Sequence, residues 1–354
     1  MAEEKIEWLR TLSAWPRIPL AQLPTPIHRL ANFAAQVDGI DLWIKRDDLT
    51  GLAGGGNKTR KLEFLVGDAL REGADTLVTV GAIQSNHTRQ TAAAAARTGL
   101  RCSLLHCDWT RDAGPLYRET GNILLSSILG ADLYADGMER PIEDKGPLDQ
   151  LADYLRGRGQ RPYVIPGGAS DHRLGSFGYA ACAAEIVAQS ASLGIGFDFV
   201  VHTTGSSSTQ AGLLAGFAAL HEQVRVIGIP DDEETSIKRA RVLRLANAAL
   251  AELGCAERIA SSQVEIVVGD ASPYGVADGR TMDAIRLFAR TEGLIADPVY
   301  EGKAIRGLLE LAKGERFPKG SRVLLLHLGG TPAVHAYANR FGPIDLMALP
   351  FPQR

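Results

Sequence analysis

The segment GGGNKTRK, residues 54–61, places Lys58 directly after three glycines and an asparagine. Glycine lets the backbone approach a ligand closely because it has no side chain. A lysine that reacts with a carbonyl compound must lose its proton, and burial or neighbouring cations such as Arg60 and Lys61 favour that loss. Most lysines lie in solvent, so the segment alone leaves three interpretations open: a phosphate site, a charged surface or a reactive Lys58.

A second segment, TTGSSSTQAG (residues 203–212), follows an apolar run and precedes a helical pattern. Backbone N–H groups and hydroxyls at the start of a helix can hold a phosphate, although an ordinary Ser/Thr helix cap has the same composition. Residues 203–212 lack the Gly-Lys-Ser/Thr ending of a Walker loop, and residues 54–61 lack the spacing of a dinucleotide fold. The sequence therefore favours a phosphorylated small cofactor over a nucleotide.

The segment GAIQSNHTRQ, residues 81–90, contains a run of polar residues at another strand-to-helix turn. Ser85 or Asn86 could simply cap the alanine-rich helix that follows. Alternatively, Gln84, Ser85 and Asn86 line a pocket, with His87 beside them as a group that could titrate. The local pattern does not decide between these interpretations.

Two further turns carry candidate residues. Tyr300 and Glu301 stand immediately before a helical pattern, and Leu328 lies in the turn HLGG (residues 327–330) that ends an apolar run. An acidic residue in the first turn of a helix is also a common structural feature, because it complements the helix dipole. Taken singly, none of these motifs decides the function.

The elements that must position these residues alternate along the chain. Short apolar runs, which we interpret as strands, are separated by alanine-rich or amphipathic helical stretches such as 89–99, 209–223 and 235–254. This pattern predicts parallel sheets covered by helices, with ligands at the carboxyl ends of the strands. The predicted strands are residues 41–47, 76–82, 101–107, 161–168, 197–205, 224–230 and 322–330.

Composition excludes several classes of protein. A chain of 354 residues with a formal net charge of −3 has enough apolar material for two domains and no large basic surface, so neither nucleic acid nor an acidic membrane is an expected partner. The first 20 residues lack the apolar run of a signal peptide, which predicts a cytoplasmic protein. The four scattered cysteines are interpreted as free thiols, and residues 136–147 as an exposed loop.

Together, in this order and at these separations, the motifs resemble the pyridoxal-phosphate enzymes of fold type II, which are similar to the tryptophan synthase β subunit. Within that group, the chain resembles the family of 1-aminocyclopropane-1-carboxylate deaminases and D-cysteine desulfhydrases. The resemblance extends from about Trp15 to Tyr337. Its strongest pieces are LPTPIHRL, IKRDDLTG, GGNKTRKLEFL, GAIQSNHTRQTAA, YVIPGGASDHRLGSFGY, TQAGLLAGF and ARTEGLIADPVYEGKA.

The resemblance implies roles for individual residues. Lys58 would form the Schiff base with pyridoxal 5'-phosphate and later move a proton, and Asn86 would bond the cofactor's 3-hydroxyl. Ser85 would contact the substrate carboxylate and help position Lys58. Tyr300 would act near the reacting carbon as nucleophile or acid/base, and Tyr274 matches a second active-site tyrosine. Substrate would therefore contact Ser85, Asn86, His87, Tyr274 and Tyr300, and the cofactor phosphate would be held by Gly205, Ser206, Ser207, Ser208 and Thr209.

Glu301 and Leu328 discriminate within the family. Deaminase-like members resemble this chain at both positions, whereas desulfhydrase-like members usually carry Thr or Ser at the first and Thr at the second. A carboxylate opposite the pyridine nitrogen keeps that nitrogen protonated and makes the ring a strong electron sink, which ring opening at a carbon without hydrogen requires. Two features differ from the deaminase pattern: His87 stands where Gln is usual, and TGSSSTQAG is closer to the desulfhydrase phosphate loop.

The resemblance thus implies an α/β protein with two open, twisted, mainly parallel sheets flanked by helices. Residues 1–56 and 169–354 would form a large cofactor-binding domain and residues 57–168 a smaller inserted one. The expected activity is conversion of 1-aminocyclopropane-1-carboxylate to 2-oxobutanoate and ammonia by a homodimer. The alternative is a lyase that eliminates sulfide or sulfite from D-cysteine or cysteate and leaves pyruvate and ammonia.

Overall fold

The computed structural model describes residues 2–37, 39–110, 114–136, 144–231 and 234–347. Its strands are β1 (Ile27–Arg29), β2 (Asp41–Arg46), β3 (Thr76–Ala82), β4 (Arg101–Cys107), β5 (Asp132–Asp136), β6 (Pro162–Ile165), β7 (Phe199–Thr204), β8 (Arg225–Pro230), β9 (Glu265–Ile266) and β10 (Arg322–His327). Its α-helices are α1 (Ala2–Ala14), α2 (Ala31–Ala34), α3 (Lys58–Arg71), α4 (Asn86–Thr98), α5 (Gly121–Ile128), α6 (Gly146–Gly157), α7 (Phe177–Leu193), α8 (Ser208–Ala219), α9 (Thr235–Glu252), α10 (Gly279–Glu292), α11 (Glu301–Lys313) and α12 (Thr331–Val334).

The strands form two sheets. The larger has the order β1-β2-β10-β7-β8-β9 and the smaller the order β5-β4-β3-β6. Every pairing is parallel except that of β1 with β2. Strands β3 and β7 are buried at every position, as expected for parallel strands covered by helices on both faces. The predicted α/β class with mainly parallel sheets is therefore confirmed.

The larger sheet is covered on both faces because successive side chains of a strand point to opposite sides. Along β10, Leu324 and Leu326 pack into one core and Val323 and Leu325 into another. The first core continues to the smaller sheet through residues such as Leu104. The two sheets are thus joined by continuous apolar packing, which holds their carboxyl ends in a defined relation.

All seven predicted strands are present, but the sequence reading missed β1, β5 and β9. Each of the three lies at the edge of its sheet, and β1 and β9 have only three and two residues. Strand β5 is mostly exposed, so it lacks the apolar pattern of a buried strand. Edge strands of this kind give little signal in a sequence.

The separation into sheets follows the chain, since β3 to β6 form one sheet and the remaining strands the other. The exact domain boundaries, at residues 57 and 168, stay a prediction. Most of the predicted loop 136–147 lies outside the described residues, and α6 begins near its end. Among the described residues, none of the helices has the length and hydropathy that spanning a membrane requires.

Candidate active site

Turns at the carboxyl ends of both sheets face one cavity. The turns follow β3, β7 and β10, as the rule for open α/β sheets predicts. The residues that line the cavity are Asn57, Lys58, Asn86, Thr203, Gly205, Ser206, Ser207, Thr209, Asp297, Tyr300, Glu301, Leu328 and Gly329.

Glycines before Lys58 let two of these turns pack backbone to backbone. Gly56 has φ +124°, and a Cβ on it would stand 3.1 Å from the carbonyl oxygen of Leu328. A Cβ on Gly329 would stand 2.7 Å from the Cα of Gly56. The backbone N–H of Asn57 donates to the same Leu328 carbonyl over 2.9 Å. The glycines therefore place Lys58 beside the turn that ends β10.

Lys58 is the first residue of α3, and its Nζ lies 3.3 Å from the Oδ1 of Asn57. Burial lowers the pKa of Lys58 to about 8, although the negative charges of Asp231 and Glu301 act in the opposite direction. A substantial share of the amine is thus neutral in mildly alkaline solution. Arg60 does not face Lys58, because its guanidinium pairs with Asp47.

A cradle for an anion lies at the start of α8. Ser207 has φ +66°, and its Oγ is buried without a hydrogen-bond partner among the described residues. Lys61 Nζ donates to the Oγ of Ser208 over 2.8 Å and lies 3.3 Å from that of Ser206. Thr209 Oγ1 accepts a hydrogen bond from the side chain of Asn57. The helix start, the hydroxyls and the amine of Lys61 together suit a phosphate. Burial, with the nearby charge of Lys58, lowers the pKa of Lys61 well below its ordinary value.

Ser85 and Asn86 stand at the start of α4. The Oγ of Ser85 accepts the backbone N–H groups of His87 and Thr88, so the serine caps the helix. In this geometry its own hydroxyl proton remains available for a ligand. The Oδ1 of Asn86 accepts a hydrogen bond of 2.9 Å from Asn122 Nδ2. Ser85 is therefore a helix cap, and since it is not among the residues that line the cavity, its contact with a ligand stays a prediction.

Glu301 is a buried carboxyl group whose Oε1 has no partner among the described residues. Burial raises its pKa well above the ordinary value, and the nearby charge of Asp297 acts in the same direction. His327 does not neutralise it, because His327 Nδ1 accepts the Gly329 N–H and Nε2 donates to the Ile295 carbonyl. Burial thus favours the protonated form of Glu301, and its Oε1 offers a bonding position to the cavity.

Asp297 organises the turn before α11. Its carboxylate accepts the backbone N–H groups of Val299, Tyr300 and Glu301 over 2.8, 2.9 and 3.3 Å. Burial raises the pKa of Asp297 to about 6, against the lowering effect of these bonds. Asp297 thereby sets the direction in which Tyr300 and Glu301 leave the backbone.

Tyr274 and Tyr300 form a phenol pair with their hydroxyl oxygens 2.5 Å apart. Burial raises the pKa of both phenols well above the ordinary value. Trp109 packs edge-on against Tyr274, with ring centroids 5.6 Å apart. Both tyrosines are therefore neutral, and one can donate its proton to the other.

The structure places His87 behind the cavity rather than in its lining. Its Nε2 lies 2.8 Å from the Oγ1 of Thr79, whose own proton goes to the Ile165 carbonyl, so Nε2 carries the proton. Burial lowers the pKa of His87 well below its ordinary value, and the nearby charges of Lys58 and Lys61 act in the same direction. His87 is thus neutral, and its predicted contact with substrate stays a prediction.

Sequence reasoning gave no role to several residues that the structure brings to the site, and it indicated Lys61 only as a cation near Lys58. Asn57, Thr203, Asp297 and Gly329 line the cavity, and Lys61 reaches the serine hydroxyls from the second turn of α3. Lys61 could have been found from its spacing, because residues three apart on a helix share a face with the first. Asp297 accepts hydrogen bonds from backbone N–H groups, and no local sequence pattern predicts that role. Gln84, considered as a pocket residue, instead donates to the carbonyls of Tyr117 and Thr120.

These residues fit pyridoxal phosphate. The unpartnered Oε1 of Glu301 suits a protonated ring nitrogen, and the unpartnered Oγ of Ser207 with Lys61 suits the phosphate. Lys58 offers an amine of lowered pKa in the same cavity. Together they make up the set of a lysine, an anion cradle and a ring-nitrogen partner that this cofactor uses.

Comparison with known proteins agrees with this interpretation. The family model described as pyridoxal-phosphate dependent enzyme matches residues 18–329, and the chain belongs to that family. It is a pyridoxal-phosphate-dependent enzyme of fold type II.

Two relatives of this chain carry the name of one particular enzyme within the family. The chain is 44% identical over 335 residues to a 1-aminocyclopropane-1-carboxylate deaminase of Methylobacterium nodulans, a match that covers 93% of this chain and 99% of the relative. A deaminase of the same name from Burkholderia vietnamiensis is 45% identical over 337 residues, covering 93% and 98%.

Solved structures of two other proteins superpose on this chain. The structure of a homologue of that deaminase superposes with a TM-score of 0.85 at 35% identity and covers 95% of this chain and 98% of its own. An O-ureido-L-serine synthase, with a TM-score of 0.62 at 20% identity over 92% of each chain, shares the fold.

Proposed function

We propose that this enzyme opens the three-membered ring of 1-aminocyclopropane-1-carboxylate and, with one water, releases 2-oxobutanoate and ammonia. The observation that carries the proposal is the buried Oε1 of Glu301, which faces the cavity without a partner among the described residues. The relatives named as deaminases of this compound support it. We assign the ring-nitrogen contact to Glu301 and the neighbouring packing contact to Leu328.

The reaction breaks the bond between the α-carbon and a ring methylene, and that methylene ends as a methyl group. When bound, pyridoxal phosphate withdraws electrons from the substrate's α-carbon. Glu301 would support this withdrawal by bonding the ring nitrogen and sharing its proton. A threonine or serine at residue 301 has no carboxyl group and could not share a proton with the nitrogen in the same way.

Lys58 and the tyrosine pair are the proton-moving groups of the proposal. Lys58, with a pKa of about 8, can both accept and return a proton near neutral pH. Tyr300 holds its proton firmly, and the short bond to Tyr274 fixes the direction of its hydroxyl. We assign Tyr300 to the reacting ring carbon and Tyr274 to the orientation of Tyr300.

The start of α4 is the proposed substrate carboxylate site. The hydroxyl of Ser85 and the backbone N–H of Asn86 would supply donors at the positive end of the dipole of this 13-residue helix, since the N–H groups of His87 and Thr88 already bond the Ser85 Oγ. Ser85 also lies beside Asn86, which we assign to the cofactor's 3-oxygen. The carboxylate and the amino group of one small amino acid would thereby be held at neighbouring positions.

We further propose a homodimer that works in the cytoplasm. All four cysteines are free thiols, which agrees with a reducing compartment. Exposed apolar side chains such as Leu49 and Leu124 line a broad groove beside the segment that precedes Lys58, which supports a second copy of the chain as its occupant.

A panel of substrates tests the activity. The purified protein would be offered 1-aminocyclopropane-1-carboxylate, D-cysteine and cysteate, and 2-oxobutanoate, pyruvate and sulfide would be assayed. We expect 2-oxobutanoate from the cyclopropane compound as the main product. Pyruvate from D-cysteine, with no product from the cyclopropane compound, would instead establish the desulfhydrase alternative, whose phosphate loop TGSSSTQAG resembles.

A further inference from the structure

Arg89, on α4, is a fully buried guanidinium that bonds neutral oxygens around the site. Its Nε donates to Asn122 Oδ1 over 2.7 Å, and its Nη2 donates to the Gly55 carbonyl over 2.9 Å. Its Nη1 donates to the Ala53 carbonyl. Burial lowers the pKa of Arg89 to about 10, so the side chain is still charged at neutral pH. The residue thus connects α5 to the segment that leads into Lys58.

The bond from Arg89 determines how the amide of Asn122 is turned. A guanidinium nitrogen only donates hydrogen bonds, so the atom of Asn122 that faces it must be the oxygen. The Nδ2 of Asn122 is then directed to the other side, where it donates over 2.9 Å to both Asn86 Oδ1 and the Gln84 carbonyl. Asn122 is fully buried, and no water is needed to satisfy either of its atoms.

The bond from Asn122 in turn determines how the amide of Asn86 is oriented. The side chain of an asparagine can be turned by 180° with little change of shape, so its neighbours decide which atom meets a ligand. Because Asn122 donates to the Oδ1 of Asn86, the Nδ2 of Asn86 is the atom left for the cavity that Asn86 lines. The reversed amide would present a carbonyl oxygen to the cavity.

We propose that Arg89 and Asn122 are positioning residues that direct the Asn86 N–H toward the 3-oxygen of the cofactor and also hold residues 53–55 in place before Lys58. The proposal rests on the assignment of Asn86 to that oxygen. It gives Arg89 and Asn122 no contact with cofactor or substrate. They act indirectly, because they orient the Asn86 amide and hold the loop of residues 53–55.

The test is Asn122→Asp, measured on the apoprotein by titration with pyridoxal phosphate and absorbance. The aspartate keeps its pairing with Arg89, but it can only accept a hydrogen bond, so Asn86 must turn its N–H toward Asp and its oxygen toward the cavity. We expect the dissociation constant of pyridoxal phosphate to rise about tenfold or more, as loss of a hydrogen bond to a charged group predicts. Because the aspartate also loses the bond to the Gln84 carbonyl, some decrease in the melting temperature of the apoprotein is expected, and it is measured in parallel.

Asn247→Asp is the matched control. Asn247 also bonds backbone carbonyls through Nδ2, those of Leu243 and Ile259, but it lies on α9 and does not line the cavity. This variant should leave cofactor affinity unchanged. Weakened cofactor binding in Asn247→Asp as well would mean that the effect of an Asn-to-Asp change is general, which would overturn the assignment.

Asn86→Ala and the double variant separate the possible failures. If Asn122 acts through Asn86, Asn122→Asp should add little to the loss of affinity in Asn86→Ala. An Asn86→Ala protein with unchanged affinity overturns the assignment of Asn86 itself. Full additivity, or unchanged affinity in Asn122→Asp alone, overturns the positioning role. Should Asn122→Asp fail to fold, Asn122→Ala replaces it, with the same expected non-additivity and a smaller single effect.

Discussion

At the scale of single residues, the amine of Lys58 is the group whose charge state controls the site. Its lowered pKa has one dominant cause, burial, and two carboxyl groups act against it. The sequence predicted Lys58 as the reactive lysine. Of the two neighbouring cations that it indicated, Arg60 was wrong, because Arg60 pairs with Asp47. Successive helix residues are turned by about 100°, so Arg60 points away from Lys58 while Lys61 shares its face. Only the three-dimensional helix shows which cation is close.

A pH profile follows from that pKa. Attachment of pyridoxal phosphate to the apoprotein needs the neutral amine, so its rate should rise with pH and level off above a midpoint near 8. The rate would be followed by absorbance after rapid mixing at a series of pH values. A midpoint near the ordinary lysine value of 10.5 would contradict the burial argument. In Lys58→Ala no adduct that borohydride can trap should form.

At the scale of elements, the long buried strands and helices could be predicted more closely than the residues at which the helices begin. Helix α4 was expected from residue 89 but begins at Asn86, because Ser85 caps it and adds a turn. Apolar periodicity reports burial, whereas the start of a helix depends on a few hydrogen bonds. The catalytic candidates lie at such starts, and their exact placement was therefore the least predictable part of the fold.

The position of α3 depends on a buried ion-pair network. Arg60 donates to both carboxylate oxygens of Asp47 over 2.8 Å and also bonds Glu185 on α7. Arg60, the largest favourable influence, lowers the pKa of Asp47 to about 2 against the cost of burial. The stability that Asp47 supplies is thus present above pH 4 and lost as pH falls through about 2. The network fixes α3 two residues after Lys58.

Removal of Arg60 from this buried ion pair should lower the stability of the folded protein. Arg60→Met leaves Asp47 buried without its cation, and we expect the free energy of unfolding to fall by about 3–5 kcal/mol. Urea denaturation followed by circular dichroism would measure the change. Arg156→Met is the control, since the pair of Arg156 with Asp153 is exposed and should contribute little. Equal stability of the two variants would show that the buried network is not needed to hold α3.

At the scale of the whole molecule, the site is assembled from turns that lie far apart in the chain. Asn57, Asn86, Gly205 and Glu301 meet only because two sheets direct their carboxyl ends at one cavity. Local patterns supplied the candidate turns, and each turn also had an ordinary structural explanation. Their joint meaning came from the family resemblance, because no rule of composition or periodicity states which distant turns converge. Because these turns lie far apart in the chain, local sequence patterns alone could not predict that they form one site.

The proposed dimer is tested by two exposed residues of α5. Leu124 and Ile128 are 44% and 70% exposed, and because they lie four apart they share one face of the helix beside the groove. Leu124→Glu combined with Ile128→Glu would place two charges on that face, which a dimer interface could not bury without large cost. Light scattering should show a wild-type mass of two 37.9 kDa chains and a variant mass of one.

Leu193→Glu provides the control for that experiment. Leu193 is 45% exposed, much as Leu124 is, but it lies at the end of α7 and does not line the groove. A charge there should leave the mass of the dimer unchanged, because an exposed residue outside the interface has nothing to disrupt. A wild-type protein with the mass of one chain would contradict the dimer itself. A double variant that still had the mass of two chains would move the interface away from α5.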